Sequence, residues 1–130
     1  MRVSLDQYCI NVSDLARSER FYTEGLGLSV THRIEIPGVS EVVLEGASGN
    51  RIQLAHHHGN DQPIQHGHGL WKLYLNTDDC AGLHARALAA GAESVSEPVH
   101  LAEWNVDVAF IRDPDGYLFE IVQMGAHTGG

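Results

Sequence analysis

Apolar and polar residues alternate through Gln7-Tyr8-Cys9-Ile10-Asn11-Val12, and the spacing then widens to three or four from Leu15 to Leu26. Alternation predicts a strand over 4–12, because successive strand side chains face opposite sides. The wider spacing predicts a helix capped by Ser13 or Asp14, with Leu15, Phe21, Tyr22 and Leu26 on its apolar side, running to about Gly25. Gly25-Leu26-Gly27 stops it, since glycine enters the left-handed conformation at low cost. Strands over 28–35, 40–46 and 50–57 follow, divided by Pro37-Gly38 and by Ser48-Gly49-Asn50.

The same order returns after an offset of about 65 residues, too long for a short solenoid repeat and suited to two copies of one supersecondary unit. Lys72-Leu73-Tyr74-Leu75-Asn76-Thr77-Asp78-Asp79-Cys80 reads like the stretch from Gln7 to Leu15. Gly116-Tyr117-Leu118-Phe119-Glu120-Ile121 reads like Gly49-Asn50-Arg51-Ile52-Gln53-Leu54. The second copy predicts a strand over 70–76 and an alanine-rich helix from Asp78 to about Ala90, burying Leu83, Ala87 and Leu88. Strands over 93–99, 104–112 and 117–124 complete it. Asp113-Pro114-Asp115-Gly116 is its hairpin signal, with proline presetting φ and glycine accepting positive φ. The expected organisation is one domain over 1–130, with a first module over about 4–57, a linker over 58–68 and a second module over about 69–124. The tail from Gly125 to Gly130 is expected to fray. The plan is βαβββ twice, an α+β class with open, curved sheets. Duplicated units tend to pair about a pseudo-twofold axis, which predicts that Gln7, Gln53, Lys72 and Glu120 come together.

Composition narrows the partners. A chain of 130 residues with 43% hydrophobic and 19% charged residues is long and apolar enough for a core. Its net charge of −9 with no basic cluster argues against nucleic acid and anionic membrane as partners. No apolar run reaches membrane-span length, and the N-terminus lacks a signal-peptide stretch. Cys9 and Cys80 have no CxxC spacing and are expected to be small buried thiols in a reducing cytoplasm.

The combination of Asn11-Val12-Ser13-Asp14-Leu15, Phe21-Tyr22 before Gly25-Leu26-Gly27-Leu28, and Asp113-Pro114-Asp115-Gly116-Tyr117 leading to Glu120 resembles the vicinal oxygen chelate superfamily. That superfamily includes glyoxalase I, bleomycin-resistance proteins, extradiol dioxygenases and fosfomycin-resistance enzymes. The resemblance covers roughly residues 4–123. It implies paired βαβββ modules whose mixed sheets curl around a cup-shaped site, and a homodimer. It implies no single reaction, because one fold hosts many chemistries.

Metal-dependent members place ligands on the first and fourth strands of each module, positions that look like Gln7, Gln53, Lys72 and Glu120 here. Of these only Glu120 matches the family's pattern. A divalent ion prefers imidazole and carboxylate donors, and a protonated lysine has no lone pair to give. No metal or other cofactor is therefore expected. Lys72 and Glu120 can instead form an ion pair that fills the position, or bind a ligand and move protons. In the enzyme reading Glu120 abstracts a proton and Lys72 stabilises the developing negative charge; partial desolvation could lower the lysine pKa and raise that of the glutamate, and Lys72 could also form a Schiff base with a carbonyl. Strand alternation puts Tyr74 on the face of Lys72 and Arg51 on that of Gln53, so both could contact a ligand carboxylate or hydroxyl, although an arginine near a strand start more often lies solvated at the rim. Trp71 has the opposite parity and is expected to pack under a helix, while Trp104 could wall the site.

Five of the nine histidines, His56, His57, His58, His66 and His68, crowd around the linker. His56 and His57 should face opposite sides, whereas His66 and His68 could share an ion or simply belong to a polar connector. His68 could also swing over the site as an acid–base group. Three functions compete. The first is a metal-independent isomerase or lyase on a small organic metabolite, with Glu120 and Lys72 catalytic and Gln7, Gln53, Tyr74 and Arg51 binding. The second is a non-catalytic, ligand-sequestering protein of the bleomycin-resistance kind. The third is a metal-dependent glyoxalase or dioxygenase.

Overall fold

The computed structural model of the chain describes residues 1–125, so the expectation of a frayed tail lies mostly outside the described residues. The chain divides into two compact units, residues 1–65 and 66–130, with the boundary inside the expected linker. Each is a four-stranded mixed sheet with one α-helix, an α+β arrangement.

In the first unit β1 (Gln7–Asn11) leads into α1 (Leu15–Arg20) and then β2 (Ser29–Ile36), β3 (Val39–Glu45) and β4 (Arg51–His57). The sheet order is β1-β4-β3-β2, with β1 parallel to β4 and the other pairs antiparallel. Asp14 caps α1 by accepting a hydrogen bond from the Arg17 amide at 3.0 Å. The expected helix through Gly25 is α-helical only to Arg20, and residues Phe21–Gly25 form a π-helical turn. The wider turn lets the consecutive aromatics Phe21 and Tyr22 both point inward, where they are fully buried and meet edge-on at 5.3 Å. Ile10, Val42, Leu44, Ile52 and Leu54 are the buried face of this sheet, and α1 packs against β3 and β4.

The second unit repeats the order with β5 (Leu73–Asn76), α2 (Cys80–Ala89), β6 (Glu93–Leu101), β7 (Val106–Arg112) and β8 (Leu118–Met124). Its sheet order is β5-β8-β7-β6, again with the first strand parallel to the fourth. Asp79 caps α2 through the Gly82 amide at 2.9 Å. Ala109, Ile111, Phe119 and Ile121 are buried, and α2 covers β6, β7 and β8 with Cys80, His84 and Ala87 turned inward. The β7–β8 hairpin closes on Asp113, whose buried carboxylate accepts from the Asp115 amide at 2.9 Å and the Tyr117 amide at 2.8 Å. Gly116 completes the turn at φ +90°.

The strand expected over 70–76 begins only at Leu73. Its parallel partner β8 starts at Leu118, so residues 70–71 have no ladder to join. Among the described residues no helix is long and apolar enough to cross a membrane.

Candidate functional site

Register decides which side chains meet. In the first unit Gln7 pairs with Arg51 and Cys9 with Gln53, so Gln7, Cys9, Asn11, Gln53 and His57 share the face opposite α1. Gln7 Nε2 donates to Gln53 Oε1 at 3.0 Å, and among the described residues neither side chain has another partner. The Gln7 amide oxygen and one of its N–H groups, and both amide N–H groups of Gln53, are left to meet a ligand. His57 Nε2 lies 3.0 Å from Asn11 Oδ1 on the same face. His56 falls on the other face, as expected, with its ring 6.5 Å from that of His58. Arg51 is committed elsewhere, since its Nε donates to Glu45 Oε1 at 2.9 Å.

The second unit brings Lys72 and Glu120 together. Lys72 Nζ donates to Glu120 Oε1 at 2.6 Å, and the two side chains are only 12% and 15% exposed. Glu120 Oε2 has no hydrogen-bond partner among the described residues. Lys72 is the only lysine of the chain. Its ammonium lies 4.1 Å from the Trp71 ring centroid, 5.1 Å from that of Tyr74 and 5.4 Å from that of Phe110. Three π-faces and one carboxylate therefore hold one cation. Tyr74 and Phe110 are both cross-strand partners of Glu120, which explains why they flank the pair.

The electrostatics favour the ion-pair expectation for this lysine over the alternative of a lowered pKa. Its pKa is raised, first by the hydrogen bond to Glu120 and against an opposing push from burial, with Tyr74 adding in the same direction as Glu120. Lys72 thus stays an ammonium at neutral pH, suited to donating hydrogen bonds and stabilising negative charge. It is unsuited to acting as a base or an amine nucleophile.

Two other placements are corrected. Trp71 does not pack under a helix; it is 76% exposed and lies over Lys72, because strand parity does not apply to a residue that precedes its strand. Cys9 is exposed while Cys80 is buried. Desolvation and then the Glu41 charge raise the Cys9 thiol, which makes it a poor nucleophile near neutral pH. Trp104 sits in the β6–β7 turn, 64% exposed. His66 is anchored rather than loose: its ring N–H donates to the Asp115 carbonyl at 2.8 Å, and the ring meets Tyr117 edge-on at 4.7 Å. Alternation could not have found this contact, which spans 49 residues and ends on a backbone carbonyl.

The four repeat-related positions carry two amides, an ammonium and one carboxylate. Neither pair fits a divalent cation: in the second unit the ammonium repels the ion and already occupies the carboxylate, and in the first unit the two amides are neutral donors bonded to each other. Among the described residues no group of three or more His, Cys, Asp or Glu side chains could hold a metal ion.

Comparison with known proteins adds kinship to this geometry. The family model described as the glyoxalase/bleomycin resistance protein/dioxygenase superfamily matches residues 4–121. A lactoylglutathione lyase of Arabidopsis thaliana is 30% identical over 119 residues, covering 88% of this chain and 42% of the plant protein. The chain thus spans under half the length of such plant relatives. A lactoylglutathione lyase of Haemophilus influenzae is 27% identical over 126 residues and matches over 93% of each chain. The crystal structure of a glyoxylase/bleomycin resistance protein/dioxygenase domain from Frankia sp. EAN1pec superposes with a TM-score of 0.83 at 23% identity, over 95% of this chain and 99% of that one. At that identity the likeness speaks for the fold alone.

Proposed function

The chain belongs to the glyoxalase/bleomycin resistance protein/dioxygenase superfamily, and from that premise we propose that it is a metal-independent lyase or isomerase acting on a small organic metabolite. The observation that carries the proposal is the closed Lys72–Glu120 pair, 2.6 Å apart, at positions where the family resemblance implies metal ligands. The relatives named lactoylglutathione lyase support a lyase-type role for this chain.

Glu120 Oε2 is the base, being the carboxylate oxygen that Lys72 leaves open. It takes a proton from a carbon next to a carbonyl, and the C–H electron pair moves onto the carbonyl oxygen as an enolate. The Lys72 ammonium donates to that oxygen and offsets its new charge, and its raised pKa keeps it charged for the task. Return of the proton to a different atom gives isomerisation; expulsion of a β-substituent gives elimination. Tyr74, beside the ammonium, supplies a hydrogen bond that orients substrate. The Gln7–Gln53 amide pair is a separate hydrogen-bonding group in the first unit, where Arg51 is held by Glu45. We extend the proposal to a cytoplasmic homodimer, which size-exclusion chromatography with light scattering tests.

Proton exchange offers a direct assay. Lactoylglutathione, the compound in the relatives' names, carries a proton next to its thioester carbonyl. Incubated with the protein in D2O, that proton should be lost from the NMR spectrum, and Glu120→Gln or Lys72→Met should abolish the loss while keeping the fold. Exchange retained in both variants, or absent from the unaltered chain, would sink the mechanism. A second reading is favoured by the same contact, since a carboxylate whose charge is already met by Lys72 suits a binder that sequesters its ligand. Lactoylglutathione that raises the melting temperature but exchanges no proton would select it.

A further inference from the structure

A cleft of about 240 Å³ opens in the second unit beside the β7–β8 turn, lined by residues other than Lys72 and Glu120. Leu70, Leu118 and Tyr117 supply apolar walls, while His66, Trp71 and Arg112 supply a polar edge. The wall is built to a tolerance. A Cβ added to Gly116 would stand 3.1 Å from His66 Nε2, so glycine at this position is what lets the imidazole lie against the turn and donate to the Asp115 carbonyl.

Arg112 is the unusual group. It is half-buried, its Nη1 donates to the Gly116 carbonyl at 3.1 Å, and among the described residues it has no other side-chain partner. Its ladder partner Glu93 forms no ion pair with it among the described residues. In a chain of net charge −9, a half-buried guanidinium without a carboxylate presents unused, forked donors to the cleft. Trp71 lines the same cleft with an indole 76% exposed, an open π-face of the kind that a planar ring covers.

We infer that this cleft binds a small aromatic carboxylic acid, its carboxylate on Arg112 and its ring against Trp71, Leu70 and Leu118. A single guanidinium neutralises a monoanion, whereas a phosphate dianion keeps a surplus negative charge against a chain of net charge −9. The inference deepens the proposed function, and rests on it, in one respect: Trp71 also covers Lys72 Nζ at 4.1 Å, so an acid held here lies next to the acid–base pair and names the class of its substrate.

The chain has two tryptophans, and Trp104→Phe leaves Trp71 as the sole reporter. Benzoate and phenylacetate, titrated into that protein, should change the indole fluorescence saturably. Benzamide and phenyl phosphate should bind about tenfold more weakly or worse, and Arg112→Gln should cost benzoate a similar factor. Because Arg112→Gln also removes the bond to the turn, its melting temperature is measured, and Trp71→Ala, followed by calorimetry, supplies a variant that leaves the core intact. The inference is overturned if neither acid saturates, if benzamide or phenyl phosphate matches benzoate, or if the folded variants bind like the parent. Benzoate binding without proton exchange in the lactoylglutathione assay would remove the proposed catalysis and keep the cleft. Exchange without benzoate binding would do the reverse.

Discussion

Replacing Gly116 with alanine tests how the second unit joins its hairpin to the segment before β5. The glycine has φ +90°, where a side chain costs about 1–2 kcal/mol from the clash of Cβ with backbone. The new methyl would also stand 3.1 Å from His66 Nε2, closer than an unstrained contact. If the ring gives way it loses its 2.8 Å hydrogen bond to Asp115, worth roughly 1 kcal/mol net. Together these predict a loss of about 2–3 kcal/mol for Gly116→Ala. In a His66→Ala background only the backbone part remains, so the same substitution should cost roughly 1 kcal/mol less there. Both tryptophans, Trp71 and Trp104, lie in the second unit, so urea unfolding followed by their fluorescence reports on the part that was changed. A cost for Gly116→Ala below about 0.5 kcal/mol, or one equal in both backgrounds, would refute the reasoning.

Two further outcomes follow from the same unit. Asp113→Ala removes the acceptor for two backbone amides in a buried turn and should destabilise the second unit by about 2–4 kcal/mol in the same urea assay. Lys72 has a folded pKa above its ordinary value of 10.5, so the stability it contributes is fully present below that value and is lost as pH rises through the higher folded one. Thermal melts taken across the alkaline range should therefore show a fall in the unaltered chain that is shallower in Lys72→Met; identical slopes would contradict the assigned pairing.

Much of the architecture was legible because strand alternation and helix stops are local signals. Asp14 and Asp79 cap their helices as the acidic starts imply, and the Asp113–Gly116 turn joins β7 to β8. The repeat also located the two pairs that form, since register places Gln7 two residues before Cys9, the partner of Gln53, and Tyr74 two residues after Lys72, as the partner of Glu120. What alternation could not reach lies outside the ladders. Trp71 precedes its strand and lies over Lys72 instead of under a helix, and the π-helical turn at Phe21–Gly25 answers to the burial of two adjacent aromatics rather than to helical spacing. For Lys72 the ion-pair reading prevails over that of a lowered pKa: burial alone lowers a lysine pKa, but a carboxylate at 2.6 Å outweighs it.

The central claim is that Lys72 and Glu120 move a substrate proton without a metal at the positions the superfamily resemblance assigns to one. The most direct measurement is the exchange rate of the lactoylglutathione α-proton in D2O, taken with untagged protein before and after exhaustive dialysis against a chelator, with metal content determined on the same samples. The account predicts the same rate in both, no stoichiometric metal in either, and no exchange after Glu120→Gln. A rate that disappears on dialysis and returns with a divalent ion would contradict it.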